Sequence, residues 1–158
     1  SKVPVEFNPE LHRLLVEHGA DQYAALIREI IAEESLPLVF HCSHGVHRTG
    51  TAAAIVLSLL GVPWETVRED YLLSNVTRSE DVALRLAALK ELAATNQGVP
   101  EADVDTTNME AFYILHGEYI DATRDEIINT YGSFESYATD RLDLTREELE
   151  RLRAVLLE

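Results

Sequence analysis

The chain holds one cysteine, and it stands in the run Val39-Phe40-His41-Cys42-Ser43-His44-Gly45-Val46-His47-Arg48-Thr49-Gly50. A cysteine, five residues and an arginine make a phosphate cradle with a nucleophile at its base. A thiolate attacks phosphorus and a thiol hardly does, so such a site must hold Cys42 ionised. Arg48 offers a planar fork to two phosphate oxygens and to the equatorial oxygens of a transition state. Thr49 can donate a hydrogen bond from its hydroxyl to the thiolate as it leaves a phospho-cysteine. His41, next to the nucleophile, is expected to order the loop and help keep Cys42 ionised. The chemistry is a double displacement, first to Cys42 and then to water.

The flanking elements must place these groups. Leu36-Pro37-Leu38-Val39-Phe40 is short, apolar and bounded by a proline, which predicts a buried strand. Residues 49–60 are almost all apolar, which predicts a buried helix. The loop between them therefore ends at a helix N-terminus, where unpaired N–H groups and partial positive charge receive anions. Amides from Ser43, His44, Gly45, Val46, His47 and Arg48 would form the nest around the phosphate. Gly45 and Gly50 are expected to supply the backbone freedom of a tight loop.

His-Cys-x5-Arg-Thr-Gly resembles the signature loop of cysteine-based protein tyrosine phosphatases. The resemblance extends through Gly61-Val62-Pro63-Trp64, Asp70-Tyr71-Leu72-Leu73-Ser74-Asn75 and Tyr131-Gly132-Ser133-Phe134 to Leu142-Asp143-Leu144-Thr145. That order is similar to the bacterial atypical tyrosine phosphatases, strongly at the loop and tail and weakly over residues 76–104. The resemblance implies an α/β fold with a central sheet surrounded by helices and a helix-rich C-terminal part. It also implies a two-helix lid over residues 76–105, with Leu84, Leu86, Ala87, Leu89 and Leu92 toward the pocket. Ordinary packing against the sheet is the alternative for that segment.

The loop departs from the resembled group, many of whose members carry Lys-Asp before the arginine. Val46 and His47 stand there instead. Loss of the lysine weakens a phosphoinositide assignment, and loss of the aspartate reopens the identity of the general acid. His47 either donates that proton or lines the loop. His44 either contacts substrate or sits at the rim. The upstream acids are Glu6, Glu10, Glu17, Asp21, Glu29, Glu33 and Glu34, none of which the sequence singles out.

A length of 158 residues suits one domain spanning 1–158. Only one segment reads as a strand, so the expectation is a phosphatase domain whose N-terminal strands are absent from this chain. The net charge is −15, from 13 basic and 28 acidic residues. Such a surface repels nucleic acid and anionic membrane. One cysteine closes no internal disulfide, and no membrane span or signal peptide is visible. A bacterial cytoplasmic or a secreted protein fits equally. No cluster has metal-ligand spacing, and the resembled chemistry uses no cofactor.

Elsewhere the pattern predicts structure. Residues 9–34 read as helical with a break near Gly19, and residues 64–75 as a helix after Pro63. Ser79 is expected to N-cap a helix to about Thr95. Residues 108–131 read as one helix with Phe112 among its inward residues, Gly132 as its C-cap followed by Ser133 as an N-cap, and Thr145 with Glu148 as a capping box. His12, His18 and His116 are isolated and carry no ligand spacing.

The sequence therefore points to a cysteine-dependent phosphatase acting on phosphotyrosine, with dual specificity open. Its partner would be a phosphoprotein or a phosphorylated small molecule. The alternatives are a phosphoinositide or small phosphomonoester phosphatase, and a non-catalytic phosphate-binding module.

Overall fold

The computed structural model describes residues 7–32 and 37–157. The described residues do not form the expected central sheet. Among the described residues the chain forms nine α-helices and a 3-10 turn at Glu101–Asp103, with no strand. The physical reason lies at residues 38–42. A strand exists only where a neighbour completes its hydrogen-bond ladder, and no second extended segment among the described residues pairs with this one. Val39 is 85% exposed there, although it reads as a core residue. Leu36, at the start of the expected strand, lies outside the described residues, as do Ser1-Lys2-Val3, Glu6, Glu33 and Glu34.

A helix takes the central place instead. α3 (His47–Leu59) is apolar nearly all round, so it has no face to give to water. It packs against α1 (Phe7–His18), α4 (Trp64–Thr77), α7 (Gly117–Tyr131) and α8 (Phe134–Asp140). Ala52, Ile55 and Leu59 enter a core with Val16, Ile27, Tyr137 and Leu152. Val46 and Ala54 enter a second core with Val67, Tyr71, Tyr119 and Ile120. α2 (Ala20–Ile31) lies along α9 (Arg146–Leu156), and Arg153 of α9 donates to the Leu59 carbonyl at 3.1 Å. That guanidinium sits where the α3 C-terminus carries partial negative charge.

The local signals at the C-terminal end appear as expected. Gly132 ends α7 at φ 83°, and the Ser133 hydroxyl accepts from the Ser136 amide at 2.9 Å. Thr145 and Glu148 form a reciprocal capping box at the start of α9. Two readings change. Ser79 is the first residue of α5 (Ser79–Gln97), and Arg78 holds the cap position without a side-chain bond. Residues 108–131 are divided into α6 (Thr107–Tyr113) and α7. Asn75 explains the break: its amide donates to the Leu115 carbonyl and its oxygen accepts from the Leu115 N–H, both at 2.8 Å. It supplies partners that a continuous helix would otherwise provide. Residues 76–105 contain the end of α4, α5 and the 3-10 turn, and Leu84 and Leu92 of α5 are exposed.

Trp64 fixes the junction of α4 and α7. Its indole N–H donates to the Asp121 carboxylate at 2.7 Å, the Arg124 guanidinium lies over its ring, and Phe134 stacks beside it.

Candidate active site

The turn that carries Cys42 closes directly onto α3. Gly45 adopts φ 70°, a left-handed conformation costly for any residue with a Cβ. Val46 then drops into the core and its carbonyl accepts from the Gly50 amide at 2.8 Å. Gly50 has a different use from the one its sequence position suggests. It is helical, and a Cβ there would lie 2.7 Å from the Tyr71 ring, so it permits close approach of α4.

Cys42 is half-buried and free. Burial alone would raise its pKa, but the Thr49 hydroxyl and the amides of Thr49, His44 and Gly45 outweigh it and bring the thiol down to about 6. The Thr49 hydroxyl is buried and makes no hydrogen bond in this structure, so it is free to support the ionised sulfur. Near neutral pH Cys42 is therefore mainly thiolate. Its neighbours line a cavity of about 160 Å³ formed by Leu11, Leu15, Val46, Phe112, His44, His47 and Arg48. A larger hollow of about 270 Å³ opens on the α4 side of the loop, past Thr49, Gly50 and Asp70, and does not include the sulfur.

Arg48 is exposed, and its Nη2 donates to the Ser43 hydroxyl at 3.0 Å across the loop. It forms no ion pair with a carboxylate among the described residues, so its charge is available to an anion. His41 is exposed, and its Nδ1 bonds the Cys42 carbonyl at 3.1 Å. His44 sits at the rim, edge-on to Phe112 and Tyr113. Burial and then the charges of Arg85, Arg78 and Arg48 hold its pKa below the usual range.

His47 is buried and both ring nitrogens are engaged. Nε2 faces the Phe112 carbonyl at 3.1 Å, and Nδ1 faces His12 Nε2 at 3.2 Å. Burial lowers its pKa, against the pull of the Phe112 carbonyl. No carboxylate lines the Cys42 cavity. Of the upstream acids, Asp21 and Glu17 are tied to Arg141, and Glu10 pairs with Arg13. No group of three His, Cys, Asp or Glu side chains able to hold a metal occurs among the described residues.

His12 is the residue that sequence reasoning passed over. It is fully buried beneath the loop although it stands 35 residues before His47. One signal was available: Asn8, His12 and Val16 recur every four residues on the buried face of α1. Phe112 was read only as an inward core residue, because its role here is through its carbonyl.

The chain is similar in sequence to known phosphatases. The chain is 30% identical over 123 residues to the triple specificity protein phosphatase PtpB of Mycobacterium tuberculosis, covering 77% of this chain and 44% of that protein. It is 32% identical over 118 residues to a tyrosine-protein phosphatase relative from Cupriavidus necator, covering 75% of this chain and 40% of that protein. The chain thus spans less than half the length of either relative. The family model for the tyrosine phosphatase family matches residues 2–158. A thiol whose pKa is lowered to about 6 inside the loop, an arginine six positions beyond it and a match along nearly the whole sequence place this chain in the tyrosine phosphatase family.

Proposed function

We propose that the chain hydrolyses phosphotyrosine through a phospho-cysteine intermediate. The observation that carries this reading is the depressed Cys42 thiol inside a loop of inward N–H groups, with an unpaired Arg48 at its edge. Cys42 Sγ attacks phosphorus and the P–O bond to the leaving group breaks. Arg48 and the amides of Ser43 to Arg48 hold the three equatorial oxygens. Water then attacks the thiophosphate, and the P–S bond breaks as Thr49 donates its hydrogen bond to the departing thiolate. His41 supports this by fixing the Cys42 carbonyl.

The substrate preference follows from what the cavity lacks. No carboxylate lines it, and both nitrogens of His47 are occupied. A leaving group that needs little protonation is then favoured. The phenol of tyrosine has a pKa of about 10, well below an alkyl alcohol. Aryl phosphates should therefore turn over ahead of phosphoserine and of inositol phosphates. Leu11, Leu15 and Phe112 provide an apolar wall for an aromatic ring. Residues 76–105 are proposed as a cover for this site, with α5 presenting exposed leucines to whatever enters.

The test is phosphate release from phosphotyrosine peptide, phosphoserine peptide and phosphoinositide, wild type beside Cys42→Ser. The expected result is release from the phosphotyrosine peptide that falls at least ~10⁴-fold in Cys42→Ser while phosphate binding survives. Release that does not depend on Cys42 would refute the mechanism. A phosphoinositide at the head of the ranking would refute the substrate class.

A further inference from the structure

Beneath the loop lies a buried polar cluster with no carboxylate in it. His12, Thr51 and Thr123 are fully buried, and His47 and Tyr71 nearly so. His12 Nδ1 is 3.2 Å from both threonine hydroxyls, and His12 Nε2 is 3.2 Å from His47 Nδ1 and 3.3 Å from the Tyr71 hydroxyl. The contacts join α1, α3, α4 and α7, and the His47 bond to the Phe112 carbonyl adds α6.

The direction of every bond in the imidazole chain can be deduced. A carbonyl oxygen only accepts, so His47 Nε2 must carry a proton. A neutral His47 then has a bare Nδ1, which can only accept. His12 Nε2 faces it and must donate. His12 Nδ1 is left bare, and a threonine hydroxyl donates into it. One polarity satisfies the whole chain without a net charge: threonine to His12, His12 to His47, His47 to Phe112.

The surroundings keep the chain neutral. His12 meets His47 and Thr51 of α3, Tyr71 of α4, and Tyr119 and Thr123 of α7. None of these offers a negative charge at neutral pH. The charges that act on His47 are His44, Arg78 and Arg48, and all oppose its protonation. Burial, followed by His47, holds the His12 pKa down at about 3. A proton forced onto His47 would reverse the His12–His47 bond and flip the His12 tautomer.

We propose that His12 is a positioning residue for the phosphate loop, acting through His47 by this directed chain of hydrogen bonds. His47 opens α3 and directly precedes Arg48. With His47 drawn inward to His12 and Phe112, Arg48 is turned outward to Ser43 and the substrate. The same chain ties the base of α6 to the loop. This inference rests on the Cys42–Arg48 reaction proposed above for its catalytic consequence, but its tautomer assignment is independent of any turnover.

Two experiments decide it. The first is long-range proton–nitrogen NMR of the histidine rings in the wild-type chain near neutral pH. Both His12 and His47 are expected to be neutral with the proton on Nε2. An Nδ1–H tautomer at either ring, or a cation at His47, overturns the proposal whether or not the chain is active. The second uses His12→Gln, whose amide nitrogen falls near the position of Nε2, beside His12→Asn, whose amide is too short to reach His47. His12→Asn is expected to lower kcat/KM for an aryl phosphate by ~10–100-fold, the scale of a small misplacement of a binding group. Inhibition by inorganic phosphate should weaken at the same time, because Arg48 is the group displaced. His12→Gln should recover most of both. Equal activity and equal phosphate inhibition in the two variants would overturn the positioning role. If His12→Asn does not fold, the wild-type tautomers and the phosphate inhibition of His12→Gln still decide.

Discussion

The two arms of the Cys42 loop are built in opposite ways. On the N-terminal side Val39, Phe40 and His41 are exposed, and the bonds to the arm are His41 to the Cys42 carbonyl and Arg48 to the Ser43 hydroxyl. On the C-terminal side Val46, His47 and Thr51 are buried, and the helix that follows touches four others. The nucleophile sits where the two meet. The groups that lower its pKa, Thr49, His44 and Gly45, all belong to the C-terminal arm. Reactivity is thus set by the side that is rigidly packed, while the apolar side contributes little to the described structure.

That contrast can be broken most severely at Gly50. Gly50→Val would push a side chain into the Tyr71 ring, at 2.7 Å from the first added carbon. We expect a loss of about 3 kcal/mol in urea unfolding, the upper part of the range for overpacking. Thr51→Val removes one of the two hydroxyls beside His12 and should cost about 2 kcal/mol by the same measurement. A loss in either variant no greater than that of a surface substitution would contradict the asymmetry.

Acid should act on the packed arm too. His12 is neutral in the fold to about pH 3, whereas unfolded it protonates near 6.5. Between those values the unfolded chain binds the extra proton, so stability falls as pH falls through that window. For one group the slope approaches about 1.4 kcal/mol per pH unit. His12→Gln should flatten the slope relative to wild type. An unchanged slope would mean that His12 is already protonated in the fold.

Smaller effects sharpen the comparison. The rate should rise with pH as Cys42 ionises through about 6. In Thr49→Ala that limb should move upward by as much as about one pH unit, the worth of a hydrogen bond to a charged group. At the other arm, Val39→Ser should alter urea unfolding by less than about 0.5 kcal/mol, as at a surface site. A larger loss there would show that the exposed arm is packed in solution.

The sequence made the packed arm legible and the open arm misleading, for one reason. Helix signals are local. Gly132 with Ser133, the Thr145–Glu148 box and the apolar run of α3 each act within a few residues, and all appear in the structure. The apolar character of residues 36–40 predicts a strand only on the assumption of neighbours that complete a ladder, and the central sheet was inferred from the same assumption. The break between α6 and α7 was hidden because Asn75, its partner, lies 40 residues away. His12 was set aside because a lone histidine has no spacing to read, and its partner comes from another helix. The loop itself was visible because Cys42, Gly45, Arg48 and Thr49 lie within eight consecutive positions, short enough for chemistry and order to coincide.

The chain has one tryptophan and one cysteine, the first at the joint of α4 and α7 and the second in the loop before α3. Trp64 is held by Asp121, Arg124 and Phe134 at the joint of α4 and α7. Its fluorescence therefore reports that joint alone, without overlapping signals. Cys42, the sole thiol and an acidic one, will accept an alkylating dye under mildly acidic conditions that spare other side chains. Once Cys42 carries the dye, the chain is a donor–acceptor pair for energy transfer. Opening of the joint against the loop can be followed optically with no residue replaced.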